Sequence, residues 1–152
     1  MSGYEKVLIV TDLSENANRA IGHGYALMPG GGQAHLLHVV EHESVPGPLY
    51  SHYTPDDLAQ PGKRTAMEDS LKKKLRNLVP DAHNGNAVGT EVAVVFHPHI
   101  ATAIVEEARA RGVQAIVMGT HGRKGLAHLL LGSVTEDVIR HAGLPVLLVP
   151  ME

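Results

Sequence analysis

The residues best suited to chemistry in this chain are glycines. Gly119-Thr120-His121-Gly122-Arg123-Lys124-Gly125 follows an apolar run, and Gly132-Ser133-Val134-Thr135 follows a leucine-rich stretch. The pattern is a glycine, two residues, a glycine, nine residues, then Gly-Ser. Glycine lets a backbone approach a ligand closely, and successive N–H groups then form a concave anion site. Gly132 and Ser133 open a helical pattern, where unpaired N–H groups and the macrodipole favour phosphate. The chemistry implied is phosphate binding by Gly119, Gly122, Gly132 and Ser133. It is neither a Walker A loop nor a G-x-G-x-x-G fingerprint, since the chain contains neither spacing. Thr11-Asp12, after the first apolar run, is the second informative strand end.

Plainer readings compete with each of these. Ser133-x-x-Glu136 is a capping box, which needs no ligand, although capping and binding can coexist. Asp12 is also a good charge for a helix N-terminus. Arg123 and Lys124 sit beside the phosphate glycines, either in contact with phosphate or solvated. His38, His42 and His97-Pro98-His99 suggest metal ligands, but no H-E-x-x-H or similar spacing appears, so isolated surface histidines are expected. His121 is read as pointing to solvent, and Leu126, Leu129, Leu130 and Leu131 as packing under the loop.

These residues need a scaffold, and the apolar pattern supplies one. Five short runs read as strands: Val7–Val10, Ala34–Val40, Glu91–Phe96, Ala115–Met118 and Val146–Val149. Continuous apolar runs suit strands buried on both faces. Between them lie helical stripes. The first helix starts after Ser14 as N-cap, with Ala17, Ala20, Ile21, Gly24, Leu27 and Met28 inside. The second covers Lys63 to Val79, with Met67, Leu71, Leu75 and Leu78 inside and Glu68–Lys72 and Asp69–Lys73 as i,i+4 pairs. The third follows Pro98, packs Ile100, Ala103, Ile104 and Ala108, carries Glu107–Arg111 outside and ends at Gly112. The fourth opens at Ser133, with Val134, Val138, Ile139 and Ala142 inside. Alternating strands and helices predict a parallel sheet with right-handed crossovers. Both candidate strand ends then lie at the carboxyl edge, where such sheets bind ligands. Glu43–Gly62 and Pro80–Gly89 read as loops.

Composition narrows the classes further. The chain has 152 residues, no cysteine and 43% hydrophobic residues, which fits one α/β domain spanning 1–152. Without cysteine there is no disulfide framework and no thiolate chemistry. Aromatics are 3% and the formal charge is -3, which argues against nucleic-acid and anionic-membrane partners. The N-terminal apolar run of four residues is too short for a signal peptide. No run reaches the ~18 apolar residues of a membrane span. A cytoplasmic protein is the expectation.

Ala115 to Val149, AIVMGTHGRKGLAHLLLGSVTEDVIRHAGLPVLLV, resembles the C-terminal signature of the universal stress protein family. KVLIVTDLSENANRAI and LLHVVE resemble its first strand-helix unit and its second strand. The resemblance covers nearly the whole chain and points to the ATP-binding branch, which carries G-x2-G-x9-G-[ST]. It implies a Rossmann-like, adenine nucleotide alpha hydrolase-like fold: an open parallel five-stranded sheet of order 3-2-1-4-5 with helices on both faces. It implies a nucleotide site formed by Thr11, Asp12, Val39, Met118, Gly119, Gly122, Arg123, Gly132, Ser133, Val134 and Thr135. Asp12 would lie near the ribose and any nucleotide-bound Mg²⁺, Val39 would offer its backbone to the adenine edge, and Met118 and Gly119 would lie under the nucleoside. The sequence departs from the family at Phe96-His97, where a glycine-aspartate pair is usual.

The function expected is a stress-response regulator that binds ATP or AMP between strands one and four. The resemblance also implies a homodimer through Val146–Val149. One alternative is a slow ATP-hydrolysing enzyme, with Asp12 or His121 orienting water and Arg123 supplying charge. Another is a partner-binding module that uses Glu43–Gly62 and ignores nucleotide.

Overall fold

The computed structural model describes residues 3–41, 60–80, 88–120 and 132–150. In chain order the elements are β1 (Lys6–Val10), α1 (Glu15–Asn18), α2 (Ala20–Ala26), β2 (Gly32–Glu41), α3 (Pro61–Asn77), β3 (Val88–His97), α4 (Ile100–Arg111), β4 (Ala115–Gly119), α5 (Ser133–His141) and β5 (Val146–Val149). The strands form one sheet of order β3-β2-β1-β4-β5, and every neighbouring pair is parallel. This is the expected order and direction.

The central strands β1 and β4 are almost wholly apolar because each face of the sheet carries a core. Val7, Ile9, Leu36, Val40 and Val117 face one way, towards Ile21, Tyr25 and Met28 of α2 and Met67, Leu71 and Leu75 of α3. Leu8, Val10, Leu37, Val39, Ile116 and Met118 face the other, towards Ala103, Ile104 and Ala108 of α4 and Val138 of α5. The alternation along each strand is the period-2 pattern of a pleated backbone. Gly24 is needed for one of these contacts, since a Cβ there would lie 2.5 Å from Ile9 Cδ1. Among the described residues, no helix is long and apolar enough to cross a membrane.

Local chemistry explains where elements start and stop. Ser14 caps α1, its Oγ accepting from the Ala17 N–H at 3.2 Å. The single first helix expected from the sequence is two segments, divided at Arg19. Asn18, just before the break, accepts the Thr11 hydroxyl on its Oδ1 at 2.6 Å. Side chains of this type compete with the helical backbone and disfavour helix interiors. α3 starts two residues earlier than expected, with Pro61 at its first position, where the missing N–H costs nothing. Its Glu68–Lys72 pair is made at 3.1 Å. α4 ends at Gly112, in the left-handed conformation at φ 63, and Glu107–Arg111 closes at 2.8 Å.

Two expectations for α5 are corrected. Its N-cap is Gly132, not Ser133, and Gly132 has no side chain to cap with. The first intrahelical bond runs from Glu136 N–H to the Gly132 carbonyl at 3.0 Å, so Ser133 and Glu136 are one position out of register for a capping box. Ile139, expected inside, is 45% exposed. Val134, Val138 and Ala142 make the inner stripe, and Ile139 lies a further 100° round the helix from Val138.

Two histidines on β2 are buried, and for one of them, His38, this corrects the expected surface position. His35 on β2 is 7% exposed, with its Nδ1 3.2 Å from Arg111 Nη1 and 3.3 Å from Glu91 Oε2. Burial lowers its pKa, and the neighbouring Arg111 cation lowers it further, against the opposing pull of Glu91. The ring is therefore neutral near pH 7, and its Nδ1 accepts from Arg111. His38 is 2% exposed, with Nδ1 2.9 Å from the Thr11 carbonyl oxygen.

Candidate functional site

The order 3-2-1-4-5 puts the switch point between β1 and β4, where the chain leaves in opposite directions from neighbouring strands. Ligands of open α/β sheets bind in the crevice this creates. β1 ends early at this edge: its last residue, Val10, lies opposite Leu37 of β2. β2 runs on to Glu41, opposite His97 of β3. β4 runs to Gly119, opposite Val149 of β5.

The turn after β1 is built by its own side chains. Thr11 is 2% exposed. Its Oγ1 accepts from the Leu13 N–H at 3.0 Å while donating to Asn18. Asp12 accepts the Ser14 N–H on Oδ1 at 2.9 Å, the short-range bond typical of an Asx turn. The turn is tight enough to hold Leu13 at φ 70, the one non-glycine residue with positive φ among the described residues. Asp12 is half-buried at the mouth of the crevice.

The opposite wall is held by Thr120. Its carbonyl accepts from the Gly132 N–H at 3.2 Å and from the Thr135 hydroxyl at 3.3 Å. Its own N–H reaches the Val149 carbonyl at 3.2 Å. The chain therefore leaves β4 and returns to α5 at one point. α1 also meets this wall: a Cβ on Gly119 would lie 3.4 Å from Ala17 Cα and 3.5 Å from the Asn16 carbonyl oxygen.

Thr11, Asp12, Met118, Gly119, Gly132, Ser133, Val134 and Thr135 are thus gathered around the carboxyl ends of β1 and β4, and Val39 lies on β2 beyond the last residue of β1. Gly122 and Arg123 lie outside the described residues, as do His42, His121 and Leu126–Leu131. Ser133 is exposed and Val134 is half-buried. Thr135 is 3% exposed, and its hydroxyl turns inward to the Thr120 carbonyl, which leaves its backbone N–H as its offer to a ligand. The groups on display are backbone N–H donors, the Ser133 hydroxyl and the Asp12 carboxylate, which accepts. That set suits holding an anion near a helix N-terminus.

Sequence reasoning missed Asn18, His38 and Thr120, each of which positions the site through a contact with no local signature. Of the histidine cluster, His38, His97 and His99 lie among the described residues, and His42 lies outside them. His97 Nδ1 accepts from the His99 N–H at 2.9 Å and its Nε2 faces Glu106 Oε1 at 3.5 Å. Among the described residues, no three His, Asp or Glu side chains form a ligand set. Two open cavities, of about 620 and 550 Å³, lie at the opposite, amino-terminal end of the sheet, near Arg111 and near Gly31 respectively.

Comparison with known proteins places this arrangement. Over 156 aligned residues the chain is 31% identical to universal stress protein MJ0577 of Methanocaldococcus jannaschii, covering 96% of this chain and 94% of that protein. It is 28% identical to universal stress protein A homolog 2 of Coxiella burnetii, covering 98% and 97%. The solved structure of MJ0577 superposes with a TM-score of 0.68 at 30% identity over 99% of both chains. A universal stress protein crystallised in complex with cAMP shares the fold, with a TM-score of 0.61 at 22% identity over 99% and 100% of the two chains. The model of the universal stress protein family matches residues 3–150, and the chain belongs to that family.

Proposed function

We propose that this protein binds an adenine nucleotide, ATP or AMP, in the crevice between β1 and β4, and acts in the cytoplasm as a nucleotide-dependent regulator of the stress response. The observation that carries this reading is the start of α5. Gly132 is an N-cap without a side chain, held against Thr120 just after β4, so the first N–H groups of the helix suit an external acceptor. The structure of a family member with cAMP supports an adenine nucleotide as the ligand class. Asp12 fits a Mg²⁺ ion that arrives with the phosphates, because Mg²⁺ typically takes one or two protein carboxylates and completes its shell with phosphate and water. Bound there, the ion would neutralise phosphate charge, while Asp12 would orient it.

Dimerisation belongs to the same proposal. β5 is an edge strand of four apolar residues, and Leu147 on it is 38% exposed. Such an edge invites pairing with a second chain, which here would be an antiparallel twin.

Titration calorimetry of the purified protein with ATP, AMP and GTP tests the ligand, together with mass spectrometry of any nucleotide that copurifies. Saturable binding of ATP or AMP is expected. A protein that binds none of them, and carries none from the cell, refutes the proposal and favours a nucleotide-independent partner module.

A further inference from the structure

His38 has no part in the phosphate cradle, yet it lies beneath the crevice with its Nδ1 2.9 Å from the Thr11 carbonyl oxygen. A carbonyl only accepts, so Nδ1 carries the proton and donates. The identity of that acceptor matters. In a parallel ladder the N–H and C=O of one residue face the same neighbour, and the residue two positions on faces it again. Leu37 faces β1, because its carbonyl accepts from the Thr11 N–H at 3.0 Å. Val39 therefore faces β1 too, and the next rung would run from the Val39 N–H to the Thr11 carbonyl. Pairing stops instead at Val10 opposite Leu37, and among the described residues no backbone bond joins Val39 to Thr11. The imidazole of His38 meets the Thr11 carbonyl where that rung would close.

We propose that His38 is a positioning residue for the nucleotide: by holding the Thr11 carbonyl it keeps the Val39 N–H open to the crevice, as the donor to a ring nitrogen of the purine base. The inference rests on the nucleotide reading given above and on Val39 as the base contact that the family resemblance implies; what it adds is the role of His38.

Three forms of the whole chain test it: wild type, His38→Leu and His38→Asn. Each is measured by amide hydrogen exchange without ligand, and by calorimetry with ATP and with inorganic tripolyphosphate. In wild type the Val39 amide should exchange at least about tenfold faster than that of Leu37, which lies inside the ladder. In His38→Leu the Thr11 carbonyl returns to Val39, whose amide slows. ATP then binds about tenfold more weakly, the scale of one lost hydrogen bond, and tripolyphosphate stays within about twofold. His38→Asn keeps a donor on the same branch and should restore both readouts.

A Val39 amide as protected as that of Leu37 in wild type overturns the proposal. Equal weakening of ATP and tripolyphosphate in His38→Leu overturns it as well, since the role is then only structural. If His38→Leu does not fold, His38→Asn carries the test, and a slowed Val39 amide or an ATP loss beyond about twofold is the overturning result. A wild-type protein that binds neither ligand refutes the nucleotide reading, a failure told apart from the others by the wild-type isotherm alone.

Discussion

Replacing Gly132 separates what the fold needs from what a ligand needs. Gly132 sits at φ -65 and ψ 155, a conformation open to any L-residue. Among the described residues, a Cβ there would meet only the Thr120 carbonyl oxygen, at 3.6 Å, an ordinary contact. The unliganded protein therefore has room for Gly132→Ala. Lower unfolded-state entropy would stabilise the variant by about 0.4–1 kcal/mol, offset by the poorer N-cap preference of alanine. The net change should stay within about 1 kcal/mol, a melting shift of roughly 2–4 °C for a chain of this size. Binding should respond differently. The new methyl group occupies the approach to the α5 N–H groups and displaces phosphate from at least one charge-assisted hydrogen bond, worth about 1.5–3 kcal/mol. ATP affinity should fall roughly 10- to 150-fold, and further in Gly132→Val. Calorimetry gives the affinity and differential scanning calorimetry the melting temperature. Gly119→Ala is a poorer probe, because its Cβ lies 3.4 Å from the α1 backbone and disturbs the protein itself. Unchanged ATP affinity in both Gly132 variants, at unchanged melting temperature, would refute the claim that the start of α5 holds phosphate.

Other perturbations test the scaffold and the assembly. Leu75, fully buried under the sheet, should cost about 2–5 kcal/mol when cut to alanine, read from urea midpoints. Tyr25→Phe removes the hydroxyl contact with Thr90 and should cost about 1 kcal/mol in the same assay. The lowered pKa of His35 means that the folded chain binds its proton less readily than the unfolded chain does. Its contribution is complete above the unfolded value near 6.5 and is lost as pH falls through it. Urea midpoints at pH 7.5 and 5.5 should therefore drop less in His35→Gln than in wild type, and an equal drop would count against this account. Leu147→Glu should convert a dimer to a monomer in sedimentation velocity; an unaffected dimer would place the interface elsewhere.

The sheet was legible because its signal is local. Val7–Val10 and Ala115–Met118 are apolar at every position, as strands covered on both faces must be, and their order along the chain leaves few topologies. Glycines that end helices were legible too, since Gly112 needs a left-handed backbone that few other residues tolerate. The walls of the crevice were readable as strand ends, but their internal bracing was not. Thr11 meets Asn18 seven positions away and His38 twenty-seven positions away, and no spacing rule links them. His35 resembled any other histidine until folding set it against Arg111, seventy-six residues on. The cap of α5 went to Gly132 because the Thr120 carbonyl pins its N–H, a contact between residues twelve positions apart that a capping-box pattern cannot register.

That pin also bears on how the chain tolerates change in length. Thr120 and Gly132 are hydrogen-bonded to each other, so the two anchor points of the intervening sequence are fixed by that contact and not by the number of residues between them. Closing a loop twice as long between fixed ends costs only about 0.6 kcal/mol more. Insertions there would leave the sheet and the start of α5 where they are. The Thr120–Gly132 junction is therefore the part of this wall that the fold itself secures, independently of the length of chain it brackets.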